Sequence, residues 1–148
     1  MIKTLILIAA SVLIIAKNGL LSTPICNLKT AKQAIEPRIF AEQTIDGPKQ
    51  PIILTRFLHN KFGIFGSEFT RCYFFSLDPN FVYQSTSIGI IFWLYFAYTV
   101  LTRKMIILLL PLLIVPAVPF FGLPILFVSY AHKIFAIIGL YFWLFKKK

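Results

Sequence analysis

Residues 88–145 constrain this chain more than any other stretch. Apart from Arg103, Lys104, His132 and Lys133 the run is almost wholly apolar, and it holds no Asp or Glu. A chain of 148 residues has too little polar sequence left to cover such a run as a core. The surrounding medium must therefore be hydrocarbon, and the chain falls in the membrane class. Composition agrees: 58% of residues are hydrophobic, against about 45–50% in an ordinary soluble domain. The expected fold is an all-α integral membrane protein, with an N-terminal signal anchor or signal peptide, an extracytoplasmic segment and a three-helix transmembrane bundle.

Charge gives the expected orientation. Fifteen Lys and Arg stand against five acids, and all five (Glu36, Glu42, Asp46, Glu68, Asp78) fall in the middle of the chain. The basic residues make no interleaved patch for nucleic acid, and several flank apolar runs, as cytoplasmic loops do. The partner this implies is the lipid bilayer, with no nucleic acid.

Along the chain, one Lys precedes a dozen apolar or small residues, 5–16, which Lys17-Asn18-Gly19 ends. Residues 1–21 read either as an uncleaved anchor or as a cleaved signal, and both send the following chain outward. No small-x-small cleavage site and no lipobox is evident. Residues 22–80 form the extracytoplasmic segment. Within it, at about 52–75, Leu58, Phe62, Phe65, Phe69 and Tyr73 recur every three or four residues, with Arg56, Lys61, Glu68 and Arg71 among them. That period predicts an amphipathic aromatic helix, lying in the membrane interface or packed on the protein's own spans. Asp78-Pro79 is a helix start, a cap followed by a first-turn proline. Three spans are expected, at about 81–102, 105–121 and 123–145. The second carries Pro111, Pro116 and Pro119, which a bundle tolerates when neighbours satisfy the freed carbonyls. Arg103-Lys104 and Lys146–Lys148 belong on one side, so two crossings separate them and the C-terminus is cytoplasmic in a multi-pass cell-membrane protein.

Candidate site residues are few. His132 and Lys133 fall near mid-bilayer in a straight return helix, where an ionisable group marks a functional site by default. They are candidates for a lipid phosphate or another anion, the alternative being that Lys133 snorkels to the interface. Asp78, at the mouth of the strongest span, and His59 complete that set, although Asp78 also reads simply as a cap. Cys26 and Cys72 both lie in the outer segment, where an oxidising compartment permits one bridge; the alternative is two buried thiols. His and Cys are too sparse for a metal site. No phosphate loop, G-x-S-x-G or Ser-His-Asp order is present, so no cofactor is expected and the sequence names no catalytic residue.

One longer order of residues looks familiar. Arg56-Phe57-Leu58-His59-Asn60-Lys61 leads to Ser76-Leu77-Asp78-Pro79-Asn80-Phe81, then a span, then Arg103-Lys104, then Leu113-Ile114-Val115-Pro116-Ala117-Val118-Pro119. Over about 56–145 this resembles the later part of bacterial GT-C-class membrane glycosyltransferases, the relatives of protein mannosyltransferases and aminoarabinose transferases. The resemblance implies a truncated or split relative handling a polyprenyl-phosphate-linked sugar beside a larger partner. The family's catalytic acids lie in an early outer loop without a counterpart here, so none is carried over. Three functions stand open: a non-enzymatic small membrane protein acting by association with envelope proteins or lipids, a glycosyltransferase-like protein, and a small transporter or pore.

Overall fold

A computed structural model describes residues 2–16, 26, eight isolated positions between 28 and 44, and 61–145. His59 and residues 52–60 of the aromatic stretch lie outside the described residues. Every element among the described residues is helical.

Helix α1 is Ile2–Ala16. Helix α2, Lys61–Leu77, carries the described part of the aromatic stretch. Helix α3, Pro79–Thr86, begins as the sequence dictates: Asp78 Oδ1 accepts the Asn80 N–H at 2.7 Å, and Pro79 occupies the first turn. A 3₁₀ turn, Ser87–Gly89, joins α3 to α4, Ile90–Thr102. The first expected span is thus interrupted near its middle. Ser87 takes φ 56° and ψ −124°, a region glycine visits freely and other residues avoid. Together, Pro79–Thr102 forms one of two segments long and apolar enough to cross a membrane.

Helix α4 stops in a Schellman turn. Lys104 adopts φ 51°, and the Met105 N–H reaches back to the Val100 carbonyl at 3.1 Å. That pairing satisfies a carbonyl the helix end would leave bare. Helix α5, Ile106–Ile114, follows, and at Val115 the winding tightens into a 3₁₀ stretch, Val115–Phe121. Pro116 and Pro119, which lack an N–H to donate, fall in this stretch, while Pro111 sits within α5. Nine residues at about 1.5 Å and seven at about 2.0 Å reach about 27 Å. The tighter winding therefore lengthens this segment. Gly122, at φ 103°, ends it, and α6, Ile125–Phe145, is the second segment long enough to span.

The core lies between α4 and α6. Phe96, Val100, Val128 and Phe135 are buried there with Phe81 of α3 and Leu112 of α5. Phe96 stacks on Phe135 with centroids 5.1 Å apart. Gly139 permits the contact: a Cβ at this position would stand 1.9 Å from the Phe92 carbonyl oxygen. A second cluster joins α2 to the 3₁₀ stretch. Phe65 and Phe69 meet the buried Phe120 edge-on, at 5.1 and 5.2 Å. Those two aromatics pack on the protein itself, whereas Phe62 is 88% exposed and Phe74 64%.

The outer faces are apolar. Ile8 on α1, Ile91 and Leu94 on α4, Ile107 on α5 and Ile134 on α6 are all exposed. Several polar side chains of α3, α4 and α6 lie inward, while Ser67, Thr70 and Arg71 of α2 are exposed. His132 and Lys133 are buried in α6, as are Ser85 and Thr86 in α3 and Thr99 in α4.

Candidate functional site

Burying a polar group in an apolar bundle costs free energy unless a partner meets it. His132 meets two. The Trp93 indole N–H donates to Nδ1 at 3.0 Å, and Nε2 lies 2.8 Å from the Ser76 carbonyl oxygen. An indole nitrogen can only donate and a carbonyl can only accept. Nδ1 must then be the bare nitrogen and Nε2 must carry the hydrogen. The imidazole has one tautomer in this setting, and it ties the last turn of α2 to α4 and α6. Phe81, Trp93 and Phe135 surround it edge-on, with centroids 5.7–6.2 Å away. The ring is fully enclosed.

Lys133 points elsewhere. Its Nζ donates to the Ile15 carbonyl at 3.0 Å and lies 5.3 Å from the centroid of the Tyr130 ring. Ile15 is the penultimate residue of α1. The last four carbonyls of a helix lack partners within it, and the C-terminal end carries about half a negative charge. A cation there satisfies both needs. Lys133 is 2% exposed, so the ammonium is directed at a protein carbonyl inside the bundle.

The other sequence candidates are dispersed. Asp78 caps α3 and its carboxylate serves the backbone of Asn80. His59 lies outside the described residues. Cys26 and Cys72 are joined in a disulfide, with Cα atoms 5.7 Å apart and a sequence separation of 46. Cys72 is packed beside Phe120, with Cys26, Leu28, Phe65 and Phe69 against the same cluster. Among the described residues no three His, Cys, Asp or Glu converge as metal ligands would.

One concavity adjoins this polar layer. A groove of about 410 Å³ runs between the C-terminal half of α1 and the α3–α4 break, with Leu13, Ile14, Ser87, Ile88 and Phe92 among its walls. Apart from the hydroxyls at 86 and 87 its lining is hydrocarbon, and Thr86 Oγ1 already donates to the Val82 carbonyl at 2.7 Å. The buried Ser85 Oγ has no partner among the described residues.

Three participants escape sequence reasoning: Trp93 as a hydrogen-bond donor, the Ser76 carbonyl as an acceptor, and the end of α1 as the counterpart of Lys133. The sequence separations are 39, 56 and 118 residues. Trp93 reads equally well as a membrane-belt aromatic, and a backbone carbonyl leaves no mark in a sequence.

No family model, curated protein or solved structure matches the chain.

Proposed function

We propose that the chain is a multi-spanning membrane protein without a reaction of its own, acting by association with envelope proteins or lipids. The observation that carries this is the inverted distribution of side chains. Ile, Leu and Phe face outward on α1, α4, α5 and α6, while His132 and Lys133 are enclosed. Soluble monomers rarely expose apolar patches larger than a few hundred Å². Helices in lipid do so throughout and turn ionisable groups toward the bundle.

The orientation follows from the basic turns. Lys3 and Arg103-Lys104 are cytoplasmic, and the outer segment with its disulfide is extracytoplasmic, where bridges persist. Helix α1 and the three later segments then make four crossings. No residue set among those described offers the nucleophile, base and oxyanion donors that catalysis needs. The groove beside α1 offers apolar surface and little else.

The decisive test is a set of reporter fusions with fractionation. A reporter after Lys148 should be active on the cytoplasmic side, and one replacing the chain from Thr70 should be active outside. The full chain should resist extraction by alkaline carbonate and dissolve in mild detergent. A folded monomer in the supernatant without detergent would refute the proposal. The glycosyltransferase reading rests on the short motifs around Asp78-Pro79 and Leu113–Pro119. Sugar transfer from a polyprenyl-phosphate donor by the purified chain would favour it.

A further inference from the structure

We infer that α1 is a permanent member of the bundle, seated by Lys133, and is not a leader that leaves after export. The inference rests on the membrane reading above and adds what becomes of the N-terminal helix. A leader's apolar core needs no particular contact with the protein it exports. Helix α1 makes several. Ile14 is 5% exposed. The α3–α4 junction comes so close that a Cβ on Gly89 would stand 3.2 Å from the Ile14 side chain and 3.3 Å from Ala136. Beyond these lies the Lys133 bond to the Ile15 carbonyl.

The lengths agree as well. With Lys3 at the inner boundary of a hydrocarbon layer of about 30 Å, Ile15 of α1 falls about 12 Å below the outer boundary. Lys133 lies eight residues along α6 from Ile125, about 12 Å below the outer boundary if α6 starts there. Ile15 and Lys133 thus fall at a similar depth, as the bond between them requires. Without α1, Lys133 would lose its bond to the Ile15 carbonyl, and a cation at this depth is expensive. Cys26 supplies a second attachment, since its disulfide to Cys72 fastens the chain to α2 ten residues after Ala16.

The test separates α1 from the rest covalently and asks whether it stays. A site-specific protease sequence is inserted between Lys17 and Thr23 of the full chain, which is purified in mild detergent and cut. The fragment carrying α1 should elute with the remainder in gel filtration and be recovered there by mass spectrometry. Lys133→Met should reduce the retained fragment at least fivefold, and Lys133→Arg should restore it. Where Lys133→Met gives no monodisperse peak, Ile14→Ala makes the same comparison with the cation in place. Release of the fragment from the unsubstituted chain overturns the inference, as does equal retention with Met at 133. A chain that pellets with membranes yet releases α1 removes this inference alone. A chain found in the supernatant before cutting removes the membrane reading with it.

Discussion

Helix α6 meets two of its neighbours, α4 and α1, by different means. Against α4 it packs along its length: Gly139 lets the Phe92 backbone approach, Phe96 stacks on Phe135, and Trp93 bonds His132. Against α1 the polar contact comes at one place, from Lys133 to the Ile15 carbonyl, with buried Ile14 packed nearby, while Ile2, Leu5, Ile8 and Val12 stay exposed. The first pair adds close backbone approach and ring stacking, the second a charge on a main-chain oxygen. In the membrane proposed above no hydrophobic force presses helices together, so each pair needs close approach or a polar bond. A helix with neither would drift.

The largest effect should come from breaking the first pair. Gly139→Val places a Cβ where the Phe92 carbonyl stands, and α4 must move away. We expect a loss of more than about 3 kcal/mol, beyond the usual cost of overpacking, read as aggregation or a collapse of the melting transition in detergent. A smaller loss would mean that the pair is less close than the structure shows.

Reduction comes next. Opening the Cys26–Cys72 bridge releases a loop closed across a sequence separation of 46, at a cost of about 2–4 kcal/mol. Thermal unfolding with and without reductant measures it, and α4–α6 contacts should survive because neither helix carries the bridge. Third, Trp93→Phe keeps the ring and removes the N–H, leaving Nδ1 of His132 without its donor. Interhelical bonds in membranes average about 0.6 and reach about 1.7 kcal/mol, so a loss of about 1 kcal/mol is expected, with His132→Ala costing more because a cavity follows. A substitution of the opposite sign sharpens the comparison. Ser87→Gly removes the strain of φ 56° at the break that lets α3 and α4 share one span, and should stabilise by about 1 kcal/mol. Smallest of all, Arg71→Gln breaks the exposed ion pair with Glu68 and should change stability by less than about 0.5 kcal/mol.

The sequence announces those parts of the fold that depend on local chemistry. Asp78-Pro79 starts a helix because a carboxylate and a proline suit a first turn wherever they occur. Arg103-Lys104 marks the end of another, where Lys104 takes the left-handed turn. The apolar run supplies most of both segments long enough to cross a membrane among the described residues. Local chemistry says less where the outcome depends on spacing in three dimensions. Pro116 and Pro119 announce an interruption, but the choice of 3₁₀ winding in place of a kink depends on Phe120 fitting against Phe65 and Phe69. The break at Ser87 carries no proline, and its neighbour Gly89 serves Ile14 and Ala136. Lys133 is conspicuous in the sequence because it is a cation within an apolar run. Its counterpart is a main-chain oxygen on the first helix, which any residue at position 15 would supply. The candidate site is therefore half visible: the buried cation and imidazole stand out, and what they touch does not.

His132 has one more consequence. Its two nitrogens differ in kind, one a bare acceptor beneath an indole and the other a donor facing an amide oxygen. Isotope labelling of the chain's two histidines would give that ring two widely separated nitrogen resonances. Those signals would persist only while α2, α4 and α6 stay together, so this ring works as a spectroscopic gauge of assembly in any detergent or lipid tried.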